Sequence, residues 1–316
     1  MIISIFFIVI GFVFLVKGAD FLVDGASNIA KKFKISEMVI GLTIVAIGTS
    51  LPELVITIKG TLDGYSDLSI GSNVGSCILN LLVVLGVSSF INPIKMNKKT
   101  KISNLIFTFL SIISVWVFGN IGLEINRAEG IMLLLIFVVF LMNLDYKNNQ
   151  ESEKNNDRIR VVPSILLIII GIIGLKYGGD FIIDNSIKLA NKFGVAESVL
   201  GLTIMSIGSS LPELITGIVS ARRGESDLLI GNIIGSNIFN LLLVIGLSAS
   251  IHPIAFSDIY NLYFLFLFIC TLSLVLFDFI GKKNEITKRD GVILLVLFLF
   301  YVGRVMYIWC GRFLSR

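Results

Sequence analysis

Charged residues and histidine are scarce in this chain of 316 residues. Asp, Glu, Lys and Arg make up 15% of it, and the mean hydropathy is +0.92. Soluble domains carry about 25% charged residues, so this composition indicates an integral membrane protein. The single histidine, His252, stands beside Pro253 at the end of an apolar segment. Histidine-dependent nucleophilic or metal chemistry therefore has almost no residues to use.

Cysteine is scarce as well. Cys77, Cys270 and Cys310 lie in or at the ends of apolar segments and follow no regular spacing. An odd number without a pattern argues against both a disulfide framework and a zinc site. We interpret the three as small apolar residues and expect no cofactor.

Long apolar segments, in contrast, are abundant. A helix needs about 20 mostly apolar residues to cross the hydrocarbon of a bilayer. Runs such as 133–140 do not alternate apolar and polar residues, as the strands of a membrane barrel would. The sequence therefore predicts an all-α membrane protein with about ten transmembrane helices in the lipid bilayer. The predicted spans lie near 2–18, 38–58, 68–91, 102–123, 130–144, 162–179, 198–219, 228–251, 260–280 and 291–309.

The chain repeats itself after 160 residues. GLTIVAIGTSLPEL (41–54) and GLTIMSIGSSLPEL (201–214) are identical at 11 of 14 positions. A second pair, GSNVGSCILN (71–80) and GNIIGSNIFN (231–240), keeps the same spacing. Between the copies runs a polar, charged segment that is typical of a solvated linker. The predicted domains are a five-helix repeat at 1–143, the linker at 144–160 and a second five-helix repeat at 161–316.

Lys and Arg predict the orientation of the two repeats. With five helices each, the second repeat enters the membrane from the opposite side, which makes an inverted-topology repeat. Of the Lys and Arg outside the spans, 17 fall on the side of the linker and 6 on the other. Cytoplasmic loops carry the excess of positive charge, so we predict a cytoplasmic linker and extracellular termini. The net charge of +4 reflects this bias and gives no reason to expect nucleic acid as a partner.

Each repeat places a proline and a glutamate in the middle of an apolar span. Pro52 cannot donate a backbone hydrogen bond and frees the carbonyl of Gly48, and such breaks are tolerated in a membrane where they line a cavity. An acid inside the membrane indicates a functional site. Carboxylate, hydroxyl and carbonyl oxygens together suit hard cations such as Ca2+ and Na+. The candidate ligands from this motif are Glu53, Glu213, Thr49, Ser50, Ser209 and Ser210.

Structural interpretations of the same residues exist. S-L-P-E is also a capping box with Ser50 as the N-cap, although a cap within hydrocarbon does not need an acid at that desolvation cost. Glycines in the second motif permit close helix packing. Asn80 and Asn240, however, follow Ser76 and Ser236 by four residues, so each pair shares a helix face and is expected to line the site. The repeated Asp20, Asp24, Asp180 and Asp184 lie near span ends and are expected at the membrane interface.

The motifs G-[TS]-S-L-P-E and G-[SN]-x-x-G-S-[CN]-x-x-N, present once per half, resemble the α-repeats of the Na+/Ca2+ exchangers in the Ca2+/cation antiporter superfamily. The resemblance covers both halves. It implies ten helices, a cluster of four cation sites at the membrane midplane, and alternating access by sliding of the first and sixth helices. It also implies that Glu53 and Glu213 bind Ca2+ and Na+ alternately. The other implied ligands are the carbonyls of Thr49, Ser209, Ala46 and Ser206, the hydroxyls of Ser50, Ser210, Ser76 and Ser236, and the amides of Asn80 and Asn240.

Asn240 departs from the members, particularly K+-dependent ones, that carry an acid at this position. With two acids the formal charge is −2, which one Ca2+ balances and three Na+ exceed by one. The alternatives are a Ca2+/H+ antiporter that uses the same glutamates, a K+-dependent exchanger and an uncoupled cation channel. An intramembrane aspartyl protease is disfavoured because Tyr177-Gly178-Gly179-Asp180 lacks the G-x-G-D spacing. The sequence leaves the oligomeric state and the stoichiometry open.

Overall fold

The computed structural model describes residues 2–95, 98–144, 160–192, 206–280 and 284–314. These residues are almost entirely helical. In the first half the helices are α1 (Ile2–Phe33), α2 (Glu37–Thr49), α3 (Leu51–Leu62), α4 (67–91), α5 (Lys98–Gly122) and α6 (Arg127–Met142). In the second half they are α7 (Val161–Lys192), α8 (Ser206–Ser209), α9 (Leu211–Arg223), α10 (Ser226–Ile251), α11 (Ile259–Ile280) and α12 (Lys288–Leu314).

About half of the described helices have the length and composition of membrane spans. Among the described residues, 6 helices are long and apolar enough to cross a membrane, and α2 with α3 makes a seventh if this bent pair is one span. The protein is therefore a multi-pass membrane protein, as the composition predicts. The total of ten spans and the inverted topology remain predictions. Most of the predicted linker, together with the start of the span predicted at 198–219, lies outside the described residues.

α1 and α7 extend well beyond the apolar segments that predicted them. The spans predicted at 2–18 and 162–179 belong to helices of 32 residues each. The charged residues that follow Lys17 obscured this extension, but they share the helix with a buried apolar face. In α1 that face includes Leu22, Val23 and Ala26, each fully buried. A helix continues past its apolar core as long as one face remains packed.

α1 and α7 run antiparallel in close contact. Gly11 meets Gly178 at one end of the pair, and Gly25 meets Ser164 at the other. A Cβ atom at Gly18 would lie 2.7 Å from the Leu175 backbone nitrogen. Small residues at such contacts let helix backbones approach closely in a membrane. The pair is the centre of one apolar cluster, which is separate from the main core.

The main core is formed by the other long helices, with α10 at its centre. Of the α10 span, 94% is buried inside the protein, compared with 28% for α1. Side chains from α4, α5, α6 and α11 complete this core. The α4–α10 region thus lies far from lipid, where polar side chains can be held by protein partners.

Two short strand pairs join the halves. β1 (Ile94–Lys95) pairs with β4 (Glu285–Ile286), and β2 (Glu124–Ile125) pairs with β3 (Ile254–Ala255), both antiparallel. β1 and β2 flank α5, while β3 and β4 flank α11. The two strand pairs therefore lie at opposite ends of these helices, and α5 runs antiparallel to its repeat counterpart α11. A hydrogen bond of 2.6 Å from Trp116 Nε1 to Asn261 Oδ1 ties the two helices together.

Candidate cation site

Two glutamates lie buried at the starts of short helices. Glu53 is in the first turn of α3 and Glu213 in the first turn of α9, each just after a proline at the second helical position. Their side chains are 3% and 1% exposed. At Ser50 the α2 and α3 axes bend by 51°. The first-turn N–H groups and the helix dipole favour negative charge at this position.

The serine two positions before each proline hydrogen-bonds a residue of the other half of the chain and does not cap its own helix. Ser50 and Ser210 make no side-chain capping bond. Ser50 Oγ donates instead to Glu213 Oε1 at 3.1 Å, and Ser210 Oγ donates to Ser76 Oγ at 3.3 Å. The capping-box interpretation is therefore wrong for both hydroxyls. They belong to the surroundings of the carboxylates.

Each carboxylate is contacted by a hydroxyl from the opposite repeat, and Glu53 also by one from its own. Ser76 Oγ donates to Glu53 Oε1 at 3.4 Å, and Ser209 of the other half also hydrogen-bonds Glu53. Glu213 is hydrogen-bonded by Ser50 and by Thr49. Thr49 and Ser209 are repeat equivalents, so the same contact occurs twice with the halves exchanged. The two motifs therefore build a single site.

Several buried polar atoms at this site have no protein partner. Within the described part of the chain, Oε2 of Glu53, Oε2 of Glu213 and Oδ1 of Asn80 make no hydrogen bond. Asn240 has neither its Oδ1 nor its Nδ2 paired. Buried acceptors without a partner cost free energy, and buried carboxylates need a compensating positive charge. Carboxylate and amide oxygens suit Ca2+ and Na+ and not zinc or copper.

Thr49 connects the site to α10. Its Oγ1 lies within hydrogen-bond distance of Asn232 Oδ1, at 3.2 Å, and of Ser236 Oγ, at 3.4 Å. This contact needs α2 and α10 to touch, and a Cβ atom at Gly235 would lie 2.6 Å from the Leu42 Cα. The glycine of the second motif thus brings the two motifs together.

The implied carbonyl ligands differ in their surroundings. Ala46 O already accepts the Ser50 N–H at 3.0 Å, with Thr49 Oγ1 at 3.3 Å. The Ala46 carbonyl thus already accepts one backbone hydrogen bond, and its second lone pair can accept from the Thr49 hydroxyl or face a cation. Ser206 begins α8, and its side chain lies outside the described residues.

Both predicted asparagines lie on interrupted helix turns. Asn80 opens the π-helical turn Asn80–Val84 of α4, and Asn240 lies in the π-helical turn Phe239–Val244 of α10. Such turns interrupt the regular i→i+4 ladder and are frequent at functional sites. The sequence repeat located these residues but gave no sign of the turns.

Two asparagines near the site were not predicted. Asn232 bonds Thr49, and Asn237 accepts from Asn80 Nδ2 at 3.2 Å. Both side chains are 1% exposed. Neither position is repeated, because their counterparts are Ser72 and Cys77. An unrepeated amide in a mostly apolar span was the available signal.

The repeated aspartates lie away from the carboxylate pair. Arg223 at the end of α9 forms ion pairs with Asp20 and Asp24 of α1, the former at 3.0 Å. Asp180 of α7 pairs with Lys176 at 3.5 Å, with both side chains about half exposed. These residues are not part of the cation site.

The chain matches the family described as sodium/calcium exchanger protein over residues 3–144 and 163–307. It belongs to this family. The match covers both halves and so includes both copies of each motif. The resemblance that the motifs suggest is confirmed.

Individual relatives are similar to this protein over nearly the whole chain. The sodium/calcium exchanger MaX1 of Methanosarcina acetivorans is 31% identical over 90% of this chain and 93% of its own length. An uncharacterized membrane protein of Methanocaldococcus jannaschii is 34% identical over 96% and 98%. Among solved structures, the sodium-calcium exchanger NCX_Mj soaked with zero Na+ and Ca2+ has a TM-score of 0.85 and 32% identity, with 96% and 99% covered. As a family member, this protein is a transporter and not an enzyme.

Proposed function

We propose that this protein is a secondary active antiporter that exchanges Na+ for Ca2+ by alternating access. The observation that carries the proposal is the buried pair Glu53 and Glu213, each with a carboxylate oxygen that no described residue satisfies. Hydroxyls from both halves surround the pair, which favours one shared cation site. Relatives named sodium/calcium exchangers support Na+ and Ca2+ as the ions.

In this proposal the two glutamates serve Ca2+ and Na+ in turn. Their unpaired oxygens bind the cation, and Thr49 and Ser209 complete the Ca2+ shell through their carbonyls. Ser50, Ser76, Ser210 and Ser236 contribute to the Na+ sites, as do the carbonyls of Ala46 and Ser206, while Asn80 and Asn240 line the centre.

Electrostatics supplies the coupling. Two carboxylates in a site of low dielectric are costly without cations. The carrier therefore changes its accessible side mainly when Ca2+ or Na+ is bound. An empty site resists that change, so the transport of one ion requires the return of the other.

The inverted repeat is part of the same proposal. The antiparallel arrangement of α5 and α11 supports it. So does the pair of equivalent contacts between the halves, in which Thr49 bonds Glu213 and Ser209 bonds Glu53. The closely packed α1–α7 pair, with its separate apolar cluster, suits two helices that slide together over the rest. The carrier would then open alternately to the two faces around a fixed site.

The deciding experiment is 45Ca2+ uptake into vesicles that hold purified protein under an imposed Na+ gradient. Glu53→Gln or Glu213→Gln removes one of the two site charges, and we expect uptake to fall at least about tenfold, the effect of about 1.4 kcal/mol. Glu124→Gln, on an exposed strand residue, is the matched control and should retain uptake. Undiminished uptake in both site variants would refute the proposal.

The same vesicles separate the rival transport modes. A pH gradient without Na+ would drive uptake in a Ca2+/H+ antiporter that uses the same glutamates. A requirement for K+ together with Na+ would indicate a K+-dependent exchanger, which Asn240 disfavours. Uptake without any counter-ion would indicate a channel.

A further inference from the structure

Asn237 joins the two repeats at a point where they are not equivalent. Its Oδ1 accepts from Asn80 Nδ2 at 3.2 Å, and its Nδ2 donates to the Cys77 carbonyl at 3.2 Å. Cys77 Sγ also approaches the Asn237 carbonyl at 3.8 Å. Cys77 and Asn237 are repeat equivalents, so α4 and α10 touch here through the same position of each half.

The chemistry of this chain of bonds fixes the orientation of two amides. A backbone carbonyl only accepts hydrogen bonds, so the Asn237 group that faces Cys77 O is the NH2 group. Asn237 then turns its Oδ1 toward Asn80. Asn80 therefore donates its NH2 group to this oxygen, and its own Oδ1 is the atom that remains available to a ligand. That Oδ1 is buried and has no partner among the described residues.

The second repeat lacks the corresponding restraint. The residue that would hold Asn240 stands at position 77, where a cysteine has replaced the amide. Neither polar atom of the Asn240 side chain has a hydrogen-bond partner within the described residues. One asparagine of the site is therefore oriented and the other is free to turn.

We propose that Asn237 is a positioning residue that directs the Asn80 carbonyl oxygen toward the transported cation. This inference rests on the proposed function and deepens it. Asn80 is a fixed ligand, while Asn240 adjusts to the ion that is bound. A fixed carbonyl dipole favours the ion of higher charge, so the orientation of Asn80 contributes more to Ca2+ than to Na+ binding.

The test is a double-mutant cycle on Ca2+ affinity. Outer residues that orient a metal ligand commonly contribute 10- to 100-fold to affinity. For Asn237→Ala we expect the half-saturating Ca2+ concentration for Na+-driven 45Ca2+ uptake to rise by about tenfold. The maximal rate should stay within about twofold, and the half-saturating Na+ concentration should change less than that of Ca2+. Asn80→Ala should give a similar rise, and the double variant should resemble Asn80→Ala alone.

Two further variants control for a loss of packing and for a role of the Cys77 side chain. Asn237→Leu keeps the number and branching of the side-chain heavy atoms and should behave as Asn237→Ala, with a monodisperse size-exclusion profile showing that both fold. Cys77→Ala keeps the backbone carbonyl on which the argument depends and should stay within about twofold of the parent.

The outcomes separate this inference from the proposed function. Effects of Asn80→Ala and Asn237→Ala that multiply in the double variant would show a structural role for Asn237 and overturn the inference. An unchanged Ca2+ affinity in Asn80→Ala would overturn it as well. In both cases loss of uptake in the glutamate variants would leave the antiport proposal intact, while retained uptake in those variants would remove the antiport proposal itself.

Discussion

At the scale of single residues, the two glutamates and the hydroxyl groups around them have different roles in the candidate site. Glu53 and Glu213 carry the charge. A hydroxyl from the opposite half hydrogen-bonds each carboxylate, Ser209 for Glu53 and Ser50 for Glu213. The second oxygen of each has no partner among the described residues, and in the proposed exchanger it would bind the ion. A carboxylate held in this way needs little reorganisation when a cation arrives.

Ser50→Ala tests whether the hydroxyl that bonds Glu213 contributes to Na+ binding. The substitution removes the donor to Glu213 Oε1 and one proposed Na+ ligand, so we expect the half-saturating Na+ concentration for 45Ca2+ exchange to rise several-fold, corresponding to about 1 kcal/mol. Ser111→Ala is the matched control, because the hydroxyl of this buried serine donates to the Thr108 carbonyl of its own helix, away from the glutamates. Equal effects of the two substitutions would remove the special role of Ser50.

The repeat in the sequence marked side chains that the structure brings together, and it missed the nearby ones that break the repeat. Glu53, Glu213 and the motif serines lie together, as their duplication suggests. Asn232 and Asn237 were not predicted as part of the site, because comparison of the halves selects positions with the same residue in both. Hydrogen-bond partners 157 residues apart, such as Asn80 and Asn237, depend on how the helices cross. No local pattern encodes that crossing.

At the scale of helices, the contact between α1 and α7 determines which parts can move as a unit. Their backbones meet at glycines spaced by seven residues, with Gly18 at the centre. The pair forms most of one apolar cluster, to which α2, α9 and α10 contribute Ile40, Val45, Val219 and Leu228, and the other long helices share another. In the proposed sliding motion, the pair would move against this shared surface.

Gly18→Val tests this close contact. The added side chain would overlap backbone atoms of Gly171 and Leu175, which cannot rotate away. We expect a destabilisation of about 1–3 kcal/mol, the usual effect of overpacking, measured as a lower midpoint of thermal unfolding in detergent. Gly303→Ala is the control, since a Cβ atom there meets nothing within 4 Å. An unchanged midpoint for Gly18→Val would mean that the helices separate easily.

At the scale of the whole molecule, the sequence predicted the class of fold better than the limits of its elements. Apolar composition sufficed to predict a helical membrane protein, while the two five-helix repeats stay a prediction from the 160-residue repeat. Helix ends were less predictable, since α1 continues to Phe33 through charged residues. The strand pairs at Ile94–Lys95 and Glu124–Ile125 were not predicted, because two residues are too few to produce a periodic pattern.

The orientation in the membrane gives the last prediction. Equivalent helices α5 and α11 run antiparallel, which an odd number of spans per half would produce. With 17 Lys and Arg on the linker side and 6 on the other, the positive-inside rule places the linker in the cytoplasm. Alkaline phosphatase is active outside the cytoplasm, and green fluorescent protein fluoresces best inside it.

We therefore expect a phosphatase fused after Arg316 to be active and a fluorescent protein inserted near residue 150 to fluoresce. Exchanging the two reporters should silence both and serves as the control. Bright fluorescence from both the insert near residue 150 and a C-terminal fusion would mean an even number of spans in the second half. In that case the two halves could not enter the membrane from opposite sides, and a site built from two inverted repeats would have to be abandoned.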